Sequence, residues 1–113
     1  MTDSAALDAL AETIRQRLAS GDPDSSYVAR LHGKGLDAIL KKVGEEAAEV
    51  LIAAKNDDSV NLVHELADLW FHCAVLMAHA DIAPEQLYGE IARRAGTSGI
   101  AEKASRGTSS NGA

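Results

Sequence analysis

Two pairs of acidic residues, Glu46-x-x-Glu49 and Glu65-x-x-Asp68, stand in the most helix-like part of this chain, separated by 15 residues. Residues three apart on an α-helix lie about 60° apart round the axis and roughly one turn apart along it, so each pair presents two carboxylates in one direction. Two such helices packed side by side converge four carboxylates on one point. Two unit charges about 5 Å apart at an effective dielectric near 20 repel by roughly 3 kcal/mol, so the cluster needs a compensating charge. Helical pairing does not offer one. The residues four after Glu46, Glu49, Glu65 and Asp68 are Val50, Ala53, Leu69 and His72. Lys41 and Lys42 stand four before Glu45 and Glu46, the weaker order for a helical ion pair, and Glu45 four before Glu49 adds repulsion. The pattern asks for a metal ion.

Hard oxygen ligands favour Mg²⁺, with Mn²⁺ as a substitute, over zinc, which prefers cysteine and histidine. Zinc remains a second reading, because His64 with Asp68 and Asp68 with His72 are i,i+4 pairs able to share an ion. His72 and His79 read more readily as packed or supporting histidines than as ligands. A carboxylate-bridged di-iron bundle needs Glu-x-x-His motifs, and the chain has none. Magnesium held by a few carboxylates completes its octahedron with water and substrate phosphates, which points to phosphate chemistry. Cations to receive the phosphates are scattered through the less regular segments as Arg30, Lys34, Lys41, Lys42, Arg93, Arg94, Lys103 and Arg106. There is no Gly-x-x-x-x-Gly-Lys-Ser/Thr loop, so a P-loop nucleotidase is not supported.

Helices must position these groups. Leu7, Leu10, Ile14 and Leu18 recur at helical spacing behind an N-cap at Ser4, up to the break Ser20-Gly21-Asp22-Pro23. Ser25 or Ser26 caps a short turn through Tyr27, Val28 and Leu31, ended by Gly33-Lys34-Gly35. From Leu36 the apolar series Ile39, Leu40, Val43, Ala47, Val50, Leu51, Ala54 predicts a helix of about 20 residues with Glu46 and Glu49 on its flank. Asn56-Asp57-Asp58-Ser59 breaks it, and a fourth helix runs from about Val60 to Ala80. Beyond Glu65 that helix is apolar on nearly every side, with only the stripe Asn61, Glu65, Asp68, His72 and His79 polar. A chain this short cannot cover it alone, which predicts a homodimer burying the Trp70 to Met77 region. Pro84 suits the first position of a last helix carrying Leu87 and Ile91 up to Arg93-Arg94.

The chain has 113 residues, enough for one domain with a modest core. With four aromatic residues and few β-branched runs, that core is built of Leu, Ile, Val and Ala, which favours an all-α fold. A net charge of -6 argues against nucleic acid as the main partner. The single cysteine, Cys73, excludes an intramolecular disulfide and suits a reducing compartment. No run of 18 apolar residues and no secretory leader pattern occurs, so a soluble, cytoplasmic protein is expected, with no membrane partner. One domain over 1–106 and a disordered tail over 107–113 complete the expectation.

The paired acids, Glu-x-x-Glu then Glu-x-x-Asp, resemble the metal motif of the all-α nucleoside triphosphate pyrophosphohydrolases of MazG type. Further segments sharpen the likeness: Ser26-Tyr27-Val28-Ala29-Arg30-Leu31, Lys34-Gly35-Leu36, Lys41-Lys42-Val43-Gly44-Glu45-Glu46-Ala47-Ala48-Glu49-Val50, Glu65-Leu66-Ala67-Asp68-Leu69-Trp70-Phe71-His72 and Glu102-Lys103-Ala104-Ser105-Arg106. Over roughly Ser25 to Arg106 the chain is similar to the phosphoribosyl-ATP pyrophosphohydrolases. The resemblance implies a four- to five-helix MazG-like bundle, dimeric, with helices shared across the interface. It implies hydrolysis of 1-(5-phospho-β-D-ribosyl)-ATP between the α- and β-phosphates, the second step of histidine biosynthesis. Glu46, Glu49, Glu65 and Asp68 would then hold Mg²⁺, and Glu45 would serve as a third ligand or water-orienting base. Arg30, Lys34, Lys42, Arg94, Lys103 and Arg106 would meet the substrate. A house-cleaning enzyme acting on nucleoside triphosphates is the alternative, and a non-catalytic helical dimerisation module a more distant one.

Overall fold

The computed structural model describes residues 5–96 together with Gly99, Lys103, Ala104 and Arg106. Five helices follow one another: α1 (Ala5–Ser20), α2 (Tyr27–Lys34), α3 (Leu36–Lys55), α4 (Ser59–His79) and α5 (Pro84–Ala95). Among the described residues there is no strand. The chain divides into two compact units, Met1–Ile82 with α1 to α4 and Ala83–Ala113 with α5. The expected cap at Ser4, the expected tail over 107–113, and Glu102 and Ser105 of the C-terminal motif lie outside the described residues.

Short corners set the geometry of the first unit. Ser26 is the residue that caps α2, its hydroxyl accepting from the Ala29 N–H at 3.1 Å. Gly35, at φ +99°, ends α2 and opens α3 in a conformation that a side chain would strain. Between α3 and α4 the turn takes Asp57 through the left-handed region at φ +55°, which a short polar side chain tolerates. Asp58 then caps α4, accepting from the Asn61 N–H at 3.1 Å. At its other end α4 closes through Asp81 at φ +60°, with the Ile82 N–H donating to the Met77 carbonyl at 2.8 Å, the 6→1 bond of a Schellman motif. In the second unit Pro84 opens α5, and the Gln86 side chain accepts from the Ala83 N–H at 2.8 Å.

The tight turn makes α3 and α4 an antiparallel pair that packs along its length, and α1 and α2 lie against it. The core draws on every helix of the first unit: Ile14 from α1, Val28 and Leu31 from α2, Ile39 from α3 and Val75 from α4. On α3 the buried residues are Ile39, Glu46 and Ala53, seven apart and therefore on one line of the helix. Glu46 thus sits on the inward face of α3, where the sequence pattern placed it on the flank. The reason is that the line facing neighbouring helices runs through it, while Leu51 and Ile52, apolar by type, are exposed.

Candidate metal centre

The hairpin brings the two acidic pairs to the same height. Glu49 with Glu65, and Glu46 with Asp68, are both centred on residue 57, the turn residue between the helices. Glu49 lies six residues before the end of α3 and Glu65 six after the start of α4, about 9 Å along each axis. Glu46, Glu49, Glu65 and Asp68 each offer a carboxylate oxygen within 4.8 Å of the others. Glu45 is not among the oxygens gathered there.

The electrostatics of the cluster are unresolved within the protein. Glu46 is 6% exposed, and burying a carboxylate costs several kcal/mol unless it is partnered. Its Oε1 meets the Lys42 ammonium at 3.3 Å, but its Oε2 is shielded from solvent with no hydrogen-bond partner. Glu65 Oε2 is in the same position. Glu49 is held above the usual carboxylate range, first because a protonated Glu49 can hydrogen-bond to Glu65 and then because the Glu65 charge repels it. A proton on Glu49 is therefore one way to relieve the cluster, and a divalent cation is the other. Two orphaned oxygens and an all-oxygen donor set fit a hard cation such as Mg²⁺.

One expectation needs correction. Lys42 stands in the weaker order before Glu46, yet its ammonium reaches both Glu46 and Glu45, the latter at 3.5 Å. Burial opposes the Lys42 charge, but its bonds to Glu46 and Glu45 carry its pKa above the ordinary value. Lys42 lies one turn before Glu46 and is itself half-buried, and its long stem lets the ammonium reach the carboxylate. It neutralises one carboxylate of the four and leaves the others.

Beside the cluster lies a cleft of about 410 Å³. Leu31 and Ala38 make part of its wall apolar, Tyr27 adds an aromatic ring, and Lys34, Lys41, Lys42 and Glu45 charge it. Lys42 belongs to both cleft and cluster. Tyr27 is tied to α4, because His72 Nδ1 lies 2.8 Å from the Asp68 carbonyl, which only accepts, so Nδ1 carries the proton. Nε2 then accepts from the Tyr27 hydroxyl at 2.8 Å. Buried His72 is thus occupied on both ring nitrogens and braces the helical turn that carries Asp68, the supporting part expected of it. Burial pushes the Tyr27 hydroxyl pKa up, which keeps it a donor.

Arg30 is the remaining candidate in the first unit. Arg30 donates to the Pro23 carbonyl at 3.2 Å. Arg94, Lys103 and Arg106 belong to the second unit. There Arg94 donates to Glu90 at 3.0 Å, and bonds from Arg93 and Arg94 pull the Glu90 pKa down to about 2. Tyr27 was not singled out by sequence as a site residue. Its partner lies 45 positions away, and no local spacing marks such a contact. Lys41 was read only as one of the scattered cations.

Comparison with known proteins adds a second line. The family model described as phosphoribosyl-ATP pyrophosphohydrolase matches residues 7–95. A phosphoribosyl-ATP pyrophosphatase of Methylococcus capsulatus is 53% identical over 100 residues, covering 88% of this chain and 94% of the relative. One from Neisseria gonorrhoeae is 55% identical over 100 residues, covering 88% and 92%. One from Nitrosospira multiformis is 54% identical over 106 residues, covering 94% and 87%. No helix among the described residues is long and apolar enough to cross a membrane.

Proposed function

Since the chain belongs to the phosphoribosyl-ATP pyrophosphohydrolase family, we propose that it hydrolyses 1-(5-phospho-β-D-ribosyl)-ATP between the α- and β-phosphates. The products are pyrophosphate and phosphoribosyl-AMP, and the step is the second of histidine biosynthesis, carried out in the cytoplasm. The observation that carries the reading is the four-carboxylate cluster with two shielded, unpartnered oxygens, set beside a lysine-lined cleft.

Glu46, Glu49, Glu65 and Asp68 would hold Mg²⁺, or Mn²⁺ in its place. When bound, the ion supplies charge neutralisation for the triphosphate and acidifies a water for in-line attack at phosphorus. Lys34, Lys41 and Lys42 orient phosphate oxygens from the cleft side, as flexible point charges. Tyr27, fixed by His72, presents its ring to the same cleft. Glu45 lines the cleft with its charge shared between Lys41, at 4.0 Å, and Lys42. These contacts support a role in orienting a water or a lysine over a further ligand role. Arg30, Arg94, Lys103 and Arg106 remain candidates for the phosphoribosyl group. Pyrophosphate release from phosphoribosyl-ATP is expected to require Mg²⁺ and to exceed release from dCTP under the same conditions. Faster turnover of dCTP would move the chain to the house-cleaning class.

The same reading includes a homodimer. Val60, Val63, Leu66 and Trp70 form an exposed apolar line on α4, with Val60 82% and Trp70 55% exposed, and Leu51 and Ile52 are exposed on α3. This surface begins one to three turns before the Trp70 to Met77 stretch expected from sequence, since Val75 is already covered by the chain's own core. Exposed apolar surface of this kind favours association. Sedimentation should give twice the 11.9 kDa of the chain, and Val63→Lys should shift it toward the monomer. A wild-type monomer at micromolar concentration would refute the dimer.

A further inference from the structure

One ammonium stands between the carboxylate cluster and the cleft. Lys42 Nζ lies 3.3 Å from Glu46 Oε1, in the cluster, and 3.5 Å from Glu45 Oε2, in the cleft wall. The two acids differ in what they can do without it. Glu46 has 7% of its side chain exposed and a second oxygen that is shielded and unpartnered, so it needs a cation whenever Lys42 leaves. Glu45 has 46% of its side chain exposed, and water can take the place of the lysine there. Lys42 itself lines the cleft, so an ammonium that leaves Glu46 has a second set of partners within reach.

We propose that Lys42 is a resident counter-ion of the cluster that a metal ion displaces: a divalent cation taking Glu46 hands the ammonium over to the cleft, where it meets a phosphate. The inference rests on the metal reading of the four carboxylates and deepens it, because loading the ion then prepares the chain for its phosphate ligand. The ion and the ammonium compete for one carboxylate. Two positive charges on the ion against one on the lysine decide that competition, and at close range the two cations repel. Glu45, paired with Lys42 and 4.0 Å from Lys41, keeps the released ammonium at the cleft wall. A phosphate is the stronger acceptor, since it forms charge-assisted bonds through several oxygens while Glu45 is largely solvated. Lys34 from α2 lines the same cleft and adds its charge. The coupling is reciprocal: a phosphate that draws Lys42 into the cleft frees Glu46 and tightens the metal. Lys42 is in this sense a positioning residue for the metal and a binding residue for the phosphate, in turn.

The test uses the full chain and reads Lys42 directly. Reductive methylation, quantified at each lysine by mass spectrometry with exposed Lys55 as the internal standard, should label Lys42 slowly in chelator. Labelling should be several-fold faster with Mg²⁺ alone and slow again with Mg²⁺ and inorganic pyrophosphate. Calorimetric Mg²⁺ affinity is the second readout. With Glu46 free of Lys42 about a tenth of the time, Lys42→Met raises the apparent affinity roughly tenfold. Lys41→Met removes the same charge from an ammonium paired with Glu45, and should change the affinity far less. A lysine that only orients Glu46 gives the opposite sign, a weaker Mg²⁺ site in Lys42→Met. Weaker binding in that variant, equal gains in the two lysine variants, or Lys42 labelling that ignores a bound Mg²⁺ or is not reversed by pyrophosphate, each overturns the hand-over and leaves the four-carboxylate reading standing. No Mg²⁺ binding by the wild type overturns both. Should Lys42→Met fail to fold, the wild-type labelling decides alone.

Discussion

Asp68→Asn and Glu49→Gln are each expected to lower Mg²⁺-dependent pyrophosphate release at least about a thousandfold, with helix content unchanged. A thousandfold corresponds to about 4 kcal/mol, within the several kcal/mol that a correctly held ion contributes to a phosphoryl-transfer transition state. Both changes preserve side-chain size and hydrogen-bonding shape while removing the charge. Asp68 takes part in the brace with His72 only through its backbone carbonyl, which accepts from Nδ1–H, so its side chain can change without releasing Tyr27. Glu49 is exposed and is not part of the hydrophobic core, so its replacement leaves that core intact. A Lys41→Ala variant serves as the contrast: its contact to Glu45 is long and exposed, and a reduction of under about tenfold, centred on KM, is expected from loss of one solvated phosphate contact. Full activity of both acid variants would remove the metal centre from the mechanism.

The acids were readable in the sequence because their spacing is local and helical, and because the turn Asn56-Asp57-Asp58-Ser59 carries its own signals. Once α3 and α4 are antiparallel, the pairing of Glu49 with Glu65 and of Glu46 with Asp68 follows from their equal distance to residue 57. The helix ends of α2, α3, α4 and α5 were legible for the same reason, being written in Ser26, Gly35, Asp58 and Pro84. Three things were not legible. The inward turn of Glu46 depends on which line of α3 meets α2 and α4, and a helix with apolar residues on several sides leaves that line open. The contact of Tyr27 with His72 joins α2 to α4 across the fold, where no sequence period reaches. The reach of Lys42 to Glu46 is made by its long stem, which the spacing of charges does not describe.

The largest effect on stability is expected from the metal itself, and its sign can be worked out from Glu49. Its carboxyl is raised above the ordinary value by Glu65, so the folded chain binds a proton there more tightly than the unfolded chain does. Stability from this group is greatest below its unfolded pKa and falls as pH rises through the folded value. In chelator, the contribution of Glu49 to wild-type stability should therefore grow as pH falls from neutral toward the ordinary carboxylate range. Glu90 does not contribute in that window, because its carboxyl is depressed to about 2 and its contribution is lost only well below pH 5. Comparison with Glu49→Gln cancels the titrating groups outside the cluster. The variant should melt higher than wild type at pH 8 in chelator, and the gap should narrow as pH falls toward the ordinary carboxylate range. Mg²⁺ at a hundred times its Kd should reverse the order at pH 8. It stabilises the wild type by about 2.7 kcal/mol, on the order of 10 °C for a domain of this size, and the variant far less. The proton and the ion compete for one cluster, so the Mg²⁺-induced shift in wild type should itself shrink as pH falls from 8 to 5. A wild type that melts at the same temperature with and without millimolar Mg²⁺, and above Glu49→Gln in chelator, would mean that the hairpin tolerates its four carboxylates without a cation.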